Sequence, residues 1–273
     1  MYLLVKGING FGNMISVLNC AYYLAKKTKR TLVIDWTHPE WVHGFDKYFK
    51  INNIKYKTYD EFIKEIANKN NLEVYPKMFK NKLNERLINI YPEIDKKNNY
   101  KEYFDDCIKM ADKKKYDIVV FSYNWLGYNG IQTLWSNLEL KEEYKNELAE
   151  KINKLGEYKA IHIRHTDISN MNLDWVYDFL NNNKDINVYI ATDNEELLNE
   201  LKRIYSNIFN YTTFYDKNQP LHTSLRTLEE KEIINKDTII DMYILTRAKQ
   251  LKITPIKTYP FMTTYSLLAM SIR

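Results

Sequence analysis

The first thirty-six residues leave little choice of architecture. Tyr2-Leu-Leu-Val-Lys6 is an apolar strand run that meets Gly7-Ile-Asn-Gly-Phe-Gly-Asn13, a turn with three glycines. Met14, Val17, Leu18, Ala21, Tyr22 and Ala25 then recur at helical spacing, and Lys29-Arg-Thr-Leu-Val-Ile-Asp-Trp36 supplies a second strand. Two strands joined through a helix must lie parallel, because only a crossover connection can return the chain to the same end of the sheet. The chain therefore begins as a βαβ unit of an α/β protein.

At such a turn the backbone N–H groups of Gly10, Gly12 and Asn13 come close to whatever sits above the helix, and the helix N-terminus adds partial positive charge. An anion suits that place; a tight turn with nothing bound fits the same residues. Beyond the second strand the loop carries Asp35, Trp36, Glu40, Trp41 and Asp46. Aromatic and acidic side chains past a strand end are either the floor of a sugar pocket or a rim of loop residues.

Residues 50 to 115 are rich in Lys and Asn and read as mainly helical, with segments near 59 to 69, 78 to 90 and 100 to 114. Tyr116-Asp-Ile-Val-Val-Phe-Ser-Tyr123 returns as a buried strand, and Glu142 to Leu155 as an amphipathic helix that closes the first half before Gly156.

The second half opens on Lys159-Ala-Ile-His-Ile-Arg-His-Thr-Asp167. Strict alternation puts Ala160, His162 and Arg164 on one side and Ile161 and Ile163 on the other. In open α/β sheets the C-terminal strand ends face the ligand crevice. A guanidinium there points to a phosphate or carboxylate to be held. A helix over 174 to 183, a strand over 187 to 191, a helix over 197 to 206, a strand over 209 to 215, a helix over 238 to 250 and a short strand over 251 to 253 follow. Thr254 to Tyr259 then leads into a last helix, 262 to 272. Asp193 with Glu196 three residues on matches a capping box, which competes with a ligand-binding role for that carboxylate. The expected organisation is an N-terminal Rossmann-like lobe, 1 to 155, and a C-terminal one, 156 to 273, facing each other across a central cleft.

Composition narrows the partners. Forty basic and thirty-five acidic residues leave +5, interleaved along amphipathic segments, which argues against a nucleic-acid track. The twenty-three tyrosines go with an excess of Lys, Asn and Ile that follows A/T-rich codons. Two cysteines, Cys20 and Cys107, give neither a disulfide framework nor a CxxC metal pair. The N-terminus has the form of a strand, not a signal peptide, and no apolar run reaches the roughly 18 to 20 residues that span a bilayer. A soluble cytoplasmic protein is expected, with its oligomeric state left open.

Several of these stretches together resemble a family. Gly10-Phe-Gly-Asn13, with the segment Lys27 to Trp36 after its helix, is similar to the start of the bacterial nodulation-factor α1,6-fucosyltransferases. Ile161-His-Ile-Arg-His-Thr-Asp167 resembles the His-x-Arg-x-Thr/Gly-Asp motif of α1,6-, α1,2- and protein O-fucosyltransferases, and Tyr189-Ile-Ala-Thr-Asp-Asn194 resembles their second motif. Pro220-Leu-His222 and Ile240 to Arg247 are similar to the nodulation enzymes too. The resemblance implies a GT-B-like fold and inverting transfer of fucose from GDP-fucose to a glycan hydroxyl, with neither metal nor cofactor. Arg164 would grip the diphosphate, His162 and Asp193 would face guanine, and His165, Thr166 and either Thr258 or Thr254 would complete the donor site. Asp167, Asp35, Glu40 and Asp46 are candidates for the general base. Departures are His165, where many members carry a second Arg, and Ile168, where α1,6 enzymes often carry Lys. The alternatives are transfer of another GDP-linked sugar, or a non-catalytic glycan- or nucleotide-binding protein on the same fold.

Overall fold

The computed structural model describes residues 1–7, 10–36, 41–85, 100–122, 129–164, 172–215, 226–254 and 264–273. They form two compact units, Met1–Lys141 and Glu142–Arg273.

The first unit runs β1 (Tyr2–Lys6), α1 (Phe11–Thr28), β2 (Thr31–Asp35), α2 (Phe45–Tyr48), β3 (Phe49–Ile51), β4 (Tyr56–Thr58), α3 (Tyr59–Ile66), β5 (Val74–Tyr75), α4 (Tyr100–Asp112), β6 (Ile118–Ser122), α5 (Ile131–Asn137) and β7 (Leu138–Leu140). Its main sheet has the order β4-β2-β1-β6-β5 and is parallel throughout. Every residue of β1 and β6 is buried, as the unbroken apolar runs require of strands covered on both faces. β3 and β7 pair separately and antiparallel. The 78 to 90 helix expected from sequence is absent from its described part. Lys77–Phe79 is a single 3-10 turn, and residues to Glu85 are turn. The two- and three-residue strands β3, β4 and β5 likewise lie in a region read as helical; strands so short display no period.

Arg30 ties the N-terminal end of this sheet. Its guanidinium is buried and donates to the carbonyls of Ala111 (2.8 Å), Tyr116 (2.9 Å), Lys113 (2.9 Å) and Tyr2 (3.3 Å). Four carbonyls from three segments thus share one planar fork.

The second unit runs α6 (Glu142–Leu155), β8 (Tyr158–Ile163), α7 (Asp174–Asn181), β9 (Asn187–Thr192), α8 (Glu195–Ile204), β10 (Ile208–Phe209), α9 (Leu228–Arg247), β11 (Leu251–Ile253) and α10 (Thr264–Ile272). Its sheet is β10-β9-β8-β11, all parallel. Ile161, Ile163, Val188 and Ile190 pack on one face with Val176, Leu180, Leu197 and Leu201. The opposite face meets α9: the Tyr158 hydroxyl donates to the Ile244 carbonyl, and the Tyr189 hydroxyl donates to Asp241. The alternation read from β8 therefore holds, with His162 on the α9 side. The strand expected over 209 to 215 is only Ile208–Phe209. Asn210 instead donates to the Ile190 carbonyl, and Thr212 donates to Asp241, so side chains take over the pairing.

α6 belongs with the second unit, not the first. Tyr144, Leu148 and Leu155 are buried, Leu155 accepts from Asn187, Lys151 accepts at its carbonyl from Tyr211, and Glu147 pairs with Lys236 of α9. The amphipathic pattern fixed which face would be covered but not by what.

Candidate active site

The strand order of the second unit reverses beside β8. The chain passes β8, β9, β10 in one direction and then returns to place β11 on the other side of β8. Such a switch point leaves two adjacent strand ends with diverging loops, which is where open α/β sheets take ligands. Here the two ends are Ile163-Arg164 and Ile253-Thr254.

Backbone and side chain lock them together. The Thr254 N–H donates to the His162 carbonyl (3.1 Å), its hydroxyl donates to the same carbonyl (3.3 Å), and the Arg164 N–H donates to that hydroxyl (3.2 Å). Thr254 is buried and its hydroxyl committed to backbone, so it positions Arg164 and does not itself reach for phosphate. Arg164 stands at the crevice end of β8, partly exposed.

His162 lies one turn of the pleat earlier. Its Nδ1 is 2.7 Å from Ser266 Oγ, and its ring lies 5.1 Å from the Tyr265 ring at 45°. Burial lowers its pKa to about 4; Arg164 pushes the same way and Asp193 opposes. The imidazole is therefore neutral near pH 7. Asp193, just past β9, is partly exposed. The helix it was read as capping, α8, is capped by Asn194, whose Oδ1 accepts from Leu197 N at 2.8 Å. Capping duty thus falls one residue later than the sequence match suggests.

Ser266 and Tyr265 are absent from the sequence reading. The signal was present: both are polar on a helix whose Leu268 and Ala269 are fully buried, and a buried hydroxyl needs a partner. Tyr265 finds its own in the Thr238 carbonyl of α9 (2.7 Å), which fastens α10 to α9.

Behind this row Asp241 is wholly buried, accepting from Tyr189 and from Thr212 (2.8 Å). Burial raises its pKa to about 7, and nearby Asp237 adds to the rise while the two hydrogen bonds moderate it.

In the first unit, Gly10 stands before α1 as its N-cap, extended and without a side chain to cap it; a Cβ there would meet nothing within 4 Å. Gly12 is buried in the first turn, and Asn13 Oδ1 is buried with no partner among the described residues. Asp35 ends β2 opposite Lys6 of β1, and the two form a 2.6 Å ion pair with 2% and 1% of their side chains exposed. Lys6 also donates to the Glu85 carbonyl (2.8 Å) and lies over the Tyr59 ring. A carboxylate so enclosed holds the sheet edge and is unsuited to be the general base. Trp36 and Trp41 turn inward: with Phe11, Phe45, Tyr48 and Phe49 they make a buried aromatic cluster, not a sugar floor. Asp46 is exposed in the first turn of α2. Glu40, His165, Thr166, Asp167, Thr258 and Pro220–His222 lie outside the described residues. Among the described residues no three His, Cys, Asp or Glu side chains gather as metal ligands, and no helix is long and apolar enough to cross a membrane.

Solved structures share this architecture. A NodZ α1,6-fucosyltransferase soaked with GDP-fucose matches at TM-score 0.68 and 18% identity, over 99% of this chain and 92% of that one. A fucosyltransferase NodZ from Bradyrhizobium matches at 0.66 and 18%, over 98% and 91%. POFUT1 in complex with GDP-fucose matches at 0.57 and 13%, over 100% and 94%. The chain has the GT-B fold of these fucosyltransferases. No family model and no curated protein sequence matches it.

Proposed function

We propose that this chain is an inverting, metal-independent cytoplasmic glycosyltransferase that moves fucose from GDP-fucose to a carbohydrate hydroxyl. The carrying observation is Arg164 at the switch point of the second sheet, its backbone stitched to Thr254. His162 lies two residues earlier on the same strand, and Asp193 just past the neighbouring strand, β9. The fold shared with enzymes solved with GDP-fucose supports the same reading.

In the reaction the acceptor oxygen bonds to the anomeric carbon as the bond from that carbon to the β-phosphate oxygen breaks. GDP leaves with the electron pair, and the acceptor proton passes to a carboxylate. The departing diphosphate gains negative charge as the transition state forms, so a cation placed against it acts selectively there. Arg164 supplies that cation from the protein, and this is the basis for metal independence. His165 and Thr166 continue the donor site, with Thr258 against the phosphates. In the first unit the α1 N-terminus, with Gly10, Gly12 and Asn13, offers an anion its own partial positive charge. Asp167 is the assigned base; Asp46 and Glu40 lie on the acceptor side, which we assign to the first unit, with the donor on the second.

Thermal unfolding with GDP, GDP-fucose, other GDP-sugars, UDP and ADP tests the assignment. A ligand at about a hundred times its Kd adds roughly 2.7 kcal/mol. GDP and GDP-fucose should stabilise the chain, and GDP should be released from GDP-fucose in the presence of chelator. Stabilisation without transfer or donor hydrolysis would turn the reading into a sugar-nucleotide-binding protein, as His165 in place of a second Arg would permit. No response to any nucleotide would overturn both.

A further inference from the structure

His162 is held more closely than a nucleotide contact alone requires. Ser266, 1% exposed, meets its Nδ1 at 2.7 Å; Tyr265 covers the ring; and Tyr265 is tied in turn to Thr238. Two consecutive residues of α10 therefore fix both the plane of the imidazole and one of its nitrogens. A neutral imidazole has one N–H and one bare nitrogen, and the partner of the first nitrogen decides which the second offers.

The neighbouring carboxylate settles which is useful. A carboxylate such as that of Asp193 serves as a hydrogen-bond acceptor. Guanine presents N–H donors at N1 and N2 beside the O6 acceptor, whereas adenine presents a bare N1 beside an N6 donor. An acceptor at Asp193 next to a donor on His162 fits guanine and is reversed for adenine. A bare Nε2 would compete for the donors that Asp193 takes and leave O6 unmet.

We infer that Ser266 is a specificity-determining positioning residue: its hydroxyl donates to His162 Nδ1 and holds the ring in the Nε2–H tautomer, selecting guanine over adenine. The inference rests on the proposed function, because the guanine edge is what chooses between the two tautomers; the tautomer itself can be read without any nucleotide.

The closing experiment separates tautomer from function. Side-chain 15N spectra of the full, unliganded chain at pH 7, with the His162 resonances assigned through His162→Gln, should show Nδ1 bare and Nε2 protonated. Ser266→Ala should populate both tautomers and reduce the GDP-over-ADP affinity ratio about tenfold, the cost of a misdirected buried hydrogen bond. Ser266→Thr should restore the wild-type spectrum and ratio, which a merely structural loss would not do. A protonated Nδ1 in the wild type overturns the inference, and so does an unchanged ratio in a folded Ser266→Ala. If Ser266→Ala does not fold, the wild-type and Ser266→Thr spectra decide. Wild-type protein that binds no GDP, while showing Nε2–H, sinks the functional reading and the guanine selection and leaves the tautomer standing.

Discussion

The two sheets end in charge of opposite destiny. At the C-terminal edge of the first, Lys6 and Asp35 neutralise one another inside the protein, and at its other end Arg30 spends its donors on four carbonyls. At the C-terminal edge of the second, Arg164 and Asp193 remain partly exposed, and the buried titratable group beside them, His162, is kept neutral. Both edges share one topology and one source of residues, yet one consumes its ions for stability and the other presents them. The lesson is that opposite charges at neighbouring strand tips mark a site where they stay open to solvent, not where the fold closes over them. Lys6 and Asp35 are themselves the last paired residues of β1 and β2 and are enclosed, whereas Arg164 and Asp193 follow the last paired residues of β8 and β9, Ile163 and Thr192, and stay partly exposed.

That contrast can be broken at its strongest point first. Lys6→Met leaves Asp35 buried without its cation and should lower stability by roughly 3–5 kcal/mol in urea titrations, with much of it regained in Lys6→Met/Asp35→Leu. A small loss from the single variant would mean that the pair is not enclosed in solution. Arg164→Ala should do the reverse. Its melting temperature should stay near wild type while transfer from GDP-fucose falls about 100- to 1000-fold, the usual consequence of removing one transition-state donor. Near wild-type turnover would remove Arg164 from the chemistry.

The third test concerns the buried titrating pair of the second unit. His162 has its pKa lowered, so the unfolded chain binds the extra proton and stability falls as pH drops from 6.5 towards 4. Asp241 has its pKa raised, so the folded chain holds the extra proton and stability falls as pH rises from 3.8 towards 7. The two slopes oppose each other across the same window. Asp241→Asn should unmask the histidine, giving an unfolding free energy from urea titration that climbs between pH 4 and 6.5 by up to ~3 kcal/mol relative to wild type. A constant difference between the two proteins over that range would refute the opposition.

Much of this was legible before any coordinates. The βαβ start, the strands at 2–6, 31–35, 118–122, 158–163 and 187–192, and Arg164 at a crevice end all follow from runs long enough to show a period. Direction was not legible. Trp36 and Trp41 were placed correctly beyond β2 but turn into the core, because a loop has no period to say which way a side chain faces. Asp193 and Asn194 differ by one residue in capping, a distinction that depends on backbone angles, not on residue type. Arg30 sits in a Lys/Arg-rich stretch and reads as solvated until the carbonyls from residues 111 to 116 come round to meet it. Ser266 needed the partner that only the fold supplies.

The place of α6 carries a practical rule for recombining such chains. A chimera joined at Gly156, the glycine that looks like the natural seam, would transplant a helix with Tyr144, Leu148 and Leu155 stripped of their cover. Each such side chain turned to water forfeits about 1.5–3 kcal/mol. Joined between Lys141 and Glu142, the same exchange keeps every one of those contacts within a single parent.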